Sequence, residues 1–301
     1  MTCAKPTVKD FWHKESSTCT FVVYDAATKD AVVIDSVMDL DTINWQVSQA
    51  HNDAVLAFVK AEGLKVHYIL DTHVHADHIT GAQALKAALG APYCIGAQIT
   101  KVQATFAGLF GLTGFKCDGS QFDKLLNDKD VLNAGSLQLV AWATPGHTPN
   151  CMTYVIGDAI FTGDALFTED FGTGRCDFPG GSAADLYDSV MKLYKELPGE
   201  TRVFVGHDYQ PGGRELRVMT TIQLSKDKQE DLPASAPRED FVKGKTEWDK
   251  TLNLPKMIFP SLICNMNAGI LPPPGPTGQR YFLIPINTRA PTDDFGRPKA
   301  A

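Results

Sequence analysis

The chain has 301 residues and a formal net charge of −7, with 44% hydrophobic and 21% charged residues. This composition can bury a sizeable core, which excludes wholesale disorder, and the acidic balance argues against a nucleic-acid partner held by bulk charge. No stretch approaches the roughly 18 consecutive apolar residues of a membrane span, and the first residues lack the apolar core of a signal peptide. We therefore expect neither a nucleic-acid nor a membrane partner.

The seven cysteines are scattered, odd in number and without a CxxC pair. This pattern argues against a disulfide framework or a structural zinc site of four cysteines. It is typical of a reducing compartment. We expect a bacterial-type cytoplasm, and a mitochondrial matrix would also fit.

The N-terminal part alternates short β-branched runs with amphipathic stretches. Runs at 20–25 and 31–36 around a polar turn predict a β-hairpin. Apolar residues at helical spacing then predict a helix from Asn44 to Glu62, which Gly63 ends. Residues 65–73 read as a buried strand that runs into a polar loop.

The same alternation continues beyond this loop. Helices are predicted from Ile79 to Leu89 and from Ala183 to Glu196. Further strands are predicted at 93–96, 136–144, 152–157, 159–164 and 201–207. An α/β sandwich with the layer order αββα is the simplest arrangement of these elements.

The composition changes after about residue 210, where polar residues and prolines become frequent. A helix is predicted from Glu239 to Thr251 and a strand-like segment at 281–287. We interpret residues 1–210 as the core and residues 211–301 as a C-terminal extension that completes the sandwich and the substrate pocket.

One short loop concentrates residues that bind metals. His73, His75, Asp77 and His78 fall within six positions of the motif HVHADH. Neutral imidazole and carboxylate are standard ligands of first-row metals. Because the segment is extended and then turns back, it can present up to four ligands to one point. The sequence therefore predicts a metal site.

Three further candidate ligands each follow a glycine directly, which permits a tight turn and a close backbone approach. They are His147, Asp164 and His207. Three other histidines stand alone and are interpreted as structural. They are His13, His51 and His67.

The HVHADH motif, followed in order by isolated His, Asp and His, resembles the metallo-β-lactamase superfamily over about residues 20–209. The resemblance implies a four-layer αββα sandwich with the metal at one edge. It does not fix the reaction, because the superfamily includes hydrolases, glyoxalase II, redox enzymes and nucleases.

One alternative is a dinuclear zinc hydrolase, such as a thioester hydrolase of the glyoxalase II type. Its ligands would form two sets of three and one bridging carboxylate: His73, His75 and His147; Asp77, His78 and His207; and Asp164. A water between the two cations would be the nucleophile, since both cations lower its pKa. All these donor types are present, so the histidines alone leave this alternative open.

The second alternative is a mononuclear non-haem iron dioxygenase. His73, His147 and Asp164 would form a facial triad that leaves three positions for water, substrate sulfur and O₂. The remaining four side chains would hydrogen-bond the ligands and fix their orientation. These four are His75, Asp77, His78 and His207.

Sequence after Asp164 favours the dioxygenase. The segment Gly174-Arg175-Cys176-Asp177-Phe178 resembles the GR-x-DF segment of persulfide dioxygenases, and so does VGHDY at 205–209. The C-terminal runs LNLPKMIFPSLICNMNAG, LPPP and GQRYFLIPIN resemble a bacterial branch often called β-lactamase hydrolase-like.

The resemblance implies a reaction in sulfide oxidation and detoxification, in which glutathione persulfide, O₂ and water give glutathione and sulfite. It implies one iron(II) per chain, and a homodimer is compatible with it. Tyr209 would be a catalytic residue that donates a hydrogen bond near the metal pocket.

Three cations are candidates for binding the glutathione carboxylates, since guanidinium groups match carboxylates bidentately. They are Arg175, Arg214 and Lys256. Asp177 belongs to the same substrate-binding segment, where it would alternatively form an internal ion pair with Arg175. Cys176 is expected to be an inert or oxidisable thiol.

Overall fold

A computed structural model describes residues 5–286 and 292–297. Within these residues the chain forms fifteen β-strands, seven α-helices and a single 3-10 turn at Pro211–Gly213. In chain order the strands are β1 (Thr7–His13), β2 (Thr18–Tyr24), β3 (Asp30–Ile34), β4 (Val37–Asp41), β5 (Gln46–Ser48), β6 (Lys65–Leu70), β7 (Ile79–Thr80), β8 (Tyr93–Gly96), β9 (Lys124–Leu126), β10 (Val131–Ala134), β11 (Leu137–Ala143), β12 (Met152–Ile156), β13 (Ala159–Phe161), β14 (Arg202–Phe204) and β15 (Met219–Thr221). The helices are α1 (Ala50–Ala61), α2 (Ala82–Leu89), α3 (Ile99–Leu109), α4 (Ala183–Glu196), α5 (Ile222–Lys228), α6 (Arg238–Asp249) and α7 (Ile258–Asn265).

Two six-stranded sheets form the middle layers. Their strand orders are β1-β2-β3-β6-β8-β9 and β10-β11-β12-β13-β14-β15, and a small third sheet has the order β5-β4-β7. Alternate residues of a strand point to opposite faces. In β2, Phe21 and Val23 therefore join the core between the two sheets, whereas Val22 joins the core on the outer face.

Helices cover the outer face of each large sheet. Buried side chains of α1, α2, α3 and α7 pack on the first sheet, and those of α4, α5 and α6 pack on the second. Each layer thus buries one apolar face against the next, as layered α/β proteins require. The predicted αββα sandwich is confirmed.

The hairpin of β2 and β3 and most of the predicted strands are found, but the predicted helix from Asn44 to Glu62 begins too early. A turn and strand β5 occupy its first part, and α1 starts at Ala50. The carboxylate of Asp41 accepts hydrogen bonds from the backbone N–H of two residues that follow it, which favours a turn over a helix. Val47, counted on the helical apolar stripe, is 42% exposed.

The helix predicted from Ile79 also begins later, because Ile79 and Thr80 form β7 beside β4. The predicted helix at 239–251 corresponds to α6, whereas α3 and α7 were not predicted. Residues 281–286 form no strand, and residue 287 of that predicted segment lies outside the described residues. In the described part of the chain, no helix is both long and apolar enough to cross a bilayer.

Helix α7 connects the C-terminal segment to the HVHADH loop. The buried side-chain amide of Asn265 donates to the carbonyl oxygens of His75 (2.9 Å) and His78 (2.8 Å). Its carbonyl oxygen accepts from the N–H of Thr80 at 2.9 Å. The division of the chain at residue 210 stays a prediction, but this contact joins the two parts at the candidate metal site.

Replacing Asn265 by alanine should lower the free energy of unfolding by about 2–4 kcal/mol, because three buried backbone groups lose their partner. Urea denaturation of the metal-free protein measures this loss. The matched control is Asn267→Ala, since the Asn267 side chain is half-buried and makes no hydrogen bond to any described residue; its effect should stay below about 0.5 kcal/mol. Equal losses of unfolding free energy in both variants would show that the hydrogen bonds of Asn265 do not stabilise the fold.

Candidate metal centre

The seven candidate ligands lie in four loops that meet at one place. The HVHADH loop follows β6, His147 lies between β11 and β12, Asp164 follows β13, and His207 follows β14. Loops anchored at strand ends hold functional side chains rigidly while leaving them accessible. The structure brings all seven predicted side chains together.

Three of them converge on a common point. Oδ2 of Asp164 lies 3.9 Å from Nε2 of His73 and 3.5 Å from Nε2 of His147. One ligand atom from each of the three residues lies within 4.8 Å of the others. The two imidazole rings are perpendicular, with centroids 4.9 Å apart. This set has the composition of a two-His-one-carboxylate triad.

Hydrogen bonds fix the tautomers of both imidazoles. Nδ1 of His147 donates to the carbonyl oxygen of Arg175 at 2.6 Å. The hydroxyl of Thr72 donates to Asp35 at 2.9 Å and therefore accepts from Nδ1 of His73 at 3.0 Å. Both Nε2 atoms thus carry a lone pair, and Nε2 of His73 is buried without a partner. Such bonds orient ligating histidines in metal sites.

Burial lowers the pKa of His73 well below its usual value, and the neighbouring His75 and His147 add to this effect. Burial also lowers the pKa of His147, although Asp164 opposes the shift. Both imidazoles are therefore neutral near pH 7, which is the form that binds a metal.

The remaining residues of the HVHADH loop form a second cluster of His75, Asp77 and His78. Nε2 of His75 donates to Oδ1 of Asp35 at 3.0 Å. Burial opposes a charge on His75, but Asp35 outweighs it and raises the pKa of His75 to about 10. Nδ1 of His78 donates to Oδ2 of Asp77 at 2.9 Å. This cluster is therefore already joined by hydrogen bonds within the chain.

His207 lies between the two clusters. Its Nε2 is 3.3 Å from Oδ1 of Asp164 and 3.8 Å from Oδ2 of Asp77. The ring of Tyr209 stacks on that of His207, with centroids 5.3 Å apart and an interplanar angle of 19°. The ring centroids of Tyr209 and Phe171 are 4.8 Å apart, so these rings form one wall beside the metal cluster.

A cavity of about 670 Å³ opens onto this cluster. Its lining includes His147 and Asp164, and it also includes Tyr209, Arg175 and Lys256. The volume lies within the range of small-molecule sites. Four side chains outside the metal cluster were predicted to bind substrate, three as cations and Tyr209 as a hydrogen-bond donor. Three of these four line the cavity.

Arg175 lines the cavity and is also tied to the protein. Its guanidinium donates to both carboxylate oxygens of Asp177, at 2.6 and 2.7 Å, and to the carbonyl oxygen of Asn253 at 2.6 Å. Asp177 itself does not appear among the described lining residues. The internal ion pair that the sequence left open is therefore present.

The structure does not support a contact between Arg214 and substrate. Its guanidinium donates to Asp208 at 2.7 and 2.8 Å and to Asp170 at 2.5 Å. Among the described lining residues Arg214 is absent. A guanidinium paired with two carboxylates would have to break these bonds to bind a third, so Arg214 instead links the loops that carry Asp170 and Asp208.

Cys176 is buried, and burial raises the pKa of its thiol well above the usual value, which agrees with an inert thiol. The cavity also contains Lys245, which the sequence did not single out. The side chain of Lys245 is buried, lies 3.3 Å from Asp249 and donates to the carbonyl oxygen of Thr173 at 3.2 Å. No local pattern predicts this, because helical lysines are usually solvated.

Residues 14–207 match the metallo-beta-lactamase superfamily. The chain belongs to this superfamily, as its motif predicts, and is an enzyme of that class.

Its relatives carry both dioxygenase and hydrolase names. The chain is 35% identical to the mitochondrial persulfide dioxygenase ETHE1 of Bos taurus, over 89% of this chain and 90% of that protein. It is 40% identical to glyoxylase B2 of Dictyostelium discoideum, over 94% and 98% of the two chains. It is 43% identical to a beta-lactamase hydrolase-like protein of Xylella fastidiosa over 94% of this chain, and it spans 65% of that protein's length.

The crystal structure of ETHE1 from Myxococcus xanthus resembles this structure with a TM-score of 0.70 and 32% identity. The match covers 88% of this chain and all of that one.

A glycine before Asp164 tests the geometry of the triad. Gly163 has a φ of +50°, and a Cβ there would lie 2.3 Å from Oγ1 of Thr72, the acceptor for His73. Gly163→Ala should therefore displace His73 and lose most of the bound metal, as measured by metal analysis of purified protein.

Gly90 is the matched control, because its φ is +69° but a Cβ there would meet nothing within 4 Å. Gly90→Ala should cost about 1 kcal/mol of stability and leave the metal content unchanged. Equal metal contents in the two variants would show that the Gly163 contact does not position the ligand.

Proposed function

We propose that this protein is a mononuclear iron(II) persulfide dioxygenase that acts on glutathione persulfide. The proposal rests above all on the way the candidate ligands divide into a triad and a second cluster. His73, His147 and Asp164 turn their unshared lone pairs toward one point beside a cavity. The similarity to persulfide dioxygenases over most of both chains supports the same assignment.

The composition of the triad suits iron(II). Two neutral imidazoles and one carboxylate leave a divalent cation with one net positive charge and open coordination positions. Iron(II) bound there supplies adjacent positions for a sulfur anion and O₂. In the overall reaction glutathione persulfide, O₂ and water give glutathione, sulfite and two protons.

The rest of the site would bind and orient the substrate. The aromatic wall of Phe171 and Tyr209 provides apolar contact for the persulfide, and the phenol of Tyr209 can donate a hydrogen bond. Arg175 and Lys256 supply positive charge for the carboxylates of glutathione. Positioned in this way, the terminal sulfur reacts in an effectively unimolecular step.

A hydrogen bond inside the second cluster supports a single metal. His75, Asp77 and His78 each offer a ligand atom within 4.8 Å of the others, so their positions alone would allow a second cation. A dinuclear site of the expected type would need His207 with Asp77 and His78. Oδ2 of Asp77 instead accepts a hydrogen bond from His78 itself.

A dinuclear thioester hydrolase of the glyoxalase II type is the second candidate. Nδ1 of His75 and Nε2 of His78 are buried without a partner. Nε2 of His78 could ligate another cation, and Nδ1 of His75 could do so on losing its proton. The similarity to glyoxylase B2 favours this candidate as well.

Metal analysis of protein purified with iron available, combined with two assays, separates the candidates. The dioxygenase predicts about one iron per chain and O₂ consumption on glutathione persulfide. Two metals per chain with hydrolysis of S-lactoylglutathione and no O₂ uptake would overturn the proposal.

Two variants test the assignment of the ligands. Asp164→Ala should abolish metal binding, because Asp164 supplies the one carboxylate of the triad. His207→Ala should lower activity and leave most metal in place, because His207 contacts Asp164 without completing the triad. Metal analysis of both proteins gives the result, and equal metal loss would favour the dinuclear site.

Lys256→Met should raise KM for glutathione persulfide by about fivefold, which corresponds to about 1 kcal/mol for one exposed ion pair. The exposed Lys256 lines the cavity, whereas the exposed Lys250 does not, so Lys250→Met is the control. A persulfide without carboxylates should show the same KM with the wild type and with Lys256→Met. A fivefold change with that substrate too would rule out a carboxylate contact.

A further inference from the structure

The hydroxyl of Thr18 lies beside the second cluster. Thr18 is the first residue of β2, and its side chain is fully buried. Its Oγ1 lies 2.9 Å from Oδ2 of Asp77 and 3.2 Å from Nδ1 of His78. Because a carboxylate only accepts, Thr18 donates to Asp77. The single hydrogen on Nδ1 of His78 goes to Asp77 at 2.9 Å and is shared with the Thr18 oxygen at 3.2 Å.

The backbone holds Thr18 in this place from both sides. The N–H of Cys19 donates to the carbonyl oxygen of Gly206 at 2.8 Å, and the N–H of Asp208 donates to that of Ser17 at 3.1 Å. The beginning of β2 therefore lies between the His207 loop and the HVHADH loop. A side-chain substitution at position 18 leaves these backbone bonds in place.

A chain of hydrogen bonds orients the Thr18 hydroxyl. Oγ of Ser16 lies 2.7 Å from Oγ1 of Thr18 and 2.7 Å from Nδ1 of His13. Since the Thr18 hydrogen is given to Asp77, Thr18 accepts from Ser16. Nδ1 of His13 accepts from the backbone N–H of Ser16 at 3.3 Å, and Nε2 of His13 donates to Asp39 at 3.2 Å, so the donor chain to Asp77 begins at Ser16.

Oδ2 of Asp77 receives two hydrogen bonds in this arrangement, one from Thr18 and one from His78. It is also the Asp77 oxygen that lies nearest His207, at 3.8 Å. A carboxylate oxygen has two lone pairs in its plane, so both lone pairs of Oδ2, the oxygen that faces His207, accept hydrogen bonds. Charge-assisted hydrogen bonds of this kind are among the stronger ones.

We propose that Thr18 determines the number of metals, because its hydroxyl holds Asp77 and His78 in a hydrogen-bonded pair that excludes a second cation. This inference rests on the proposed function, which requires a single metal. It assigns Thr18 as a positioning residue for metal selectivity. It also explains why unpartnered nitrogens on His75 and His78 need not imply a second metal.

The test is a titration of metal-stripped protein with Zn²⁺, followed by gel filtration and metal analysis. The wild type should retain one equivalent. Thr18→Val keeps the shape of the side chain and removes the hydroxyl, so it should retain two equivalents. The Kd of the second equivalent should fall by about 10- to 100-fold, as expected from losing one hydrogen bond to a charged group.

Two controls separate the hydroxyl from its surroundings. Thr20 is equally buried on the same strand, but its hydroxyl lies 2.6 Å from the carbonyl oxygen of Asp35 and 2.8 Å from His51. Thr20→Val should therefore keep one equivalent. Thr18→Ser retains a hydroxyl and should behave like the wild type. Thr18→Ala gives the same readout as Thr18→Val, so the question stays decidable if one variant does not fold.

The outcomes are distinct. If the wild type binds one metal and both Thr18→Val and Thr18→Ala also bind one, the role of Thr18 is wrong and the mononuclear enzyme stands. If the wild type itself binds two metals tightly, the proposed function fails. If Thr20→Val gains a second metal as readily as Thr18→Val, the effect is not specific to the Asp77 contact and the inference is overturned.

Discussion

Buried imidazole nitrogens without a hydrogen-bond partner are the constraint on which the rest of the site depends. Nε2 of His73, Nδ1 of His75 and Nε2 of His78 all lie in this state, as does Oδ1 of Asp164. Each such group costs about 1–3 kcal/mol if nothing compensates it. A bound cation compensates the atoms of the triad directly, so metal binding and the stability of the folded chain are coupled. The apolar sandwich has to supply the stability that keeps these atoms in place.

A single buried carboxylate organises the first two histidines of the motif. Asp35 accepts from the N–H and hydroxyl of Thr72, at 2.7 and 2.9 Å, and from His75 at 3.0 Å. The hydroxyl of Thr72 then fixes the tautomer of His73. One aspartate thereby sets the protonation of two imidazoles, one in the candidate triad and one beside it.

The sequence predicts those parts of the molecule that local patterns encode. The HVHADH motif and its three partners were identified because each residue type carries the chemistry by itself. The α1 boundary was missed because Val47 fits a helical stripe but lies on a strand whose turn is made by Asp41. Asp35 and Thr18 were missed for another reason, since their roles exist only through contacts with residues distant in sequence. Arg214 shows the same limit, because its ion pairs with Asp170 and Asp208 cannot be read from its own segment.

The part of the chain beyond the matched superfamily residues contributes to the cavity beside the metal cluster. Lys245 and Lys256 line the cavity, while Asn265 holds the backbone of the metal loop. The sandwich thus carries the candidate ligands, and the C-terminal segment lines part of the cavity next to them. This division agrees with the general rule that one fold supports many chemistries through the loops around its site.

Anomalous diffraction on either side of the iron absorption edge tests the central claim most directly. Crystals would be grown from protein produced with iron available throughout. The account predicts one iron peak within bonding distance of His73, His147 and Asp164. A second metal peak of comparable occupancy beside Asp77 and His78 would contradict it.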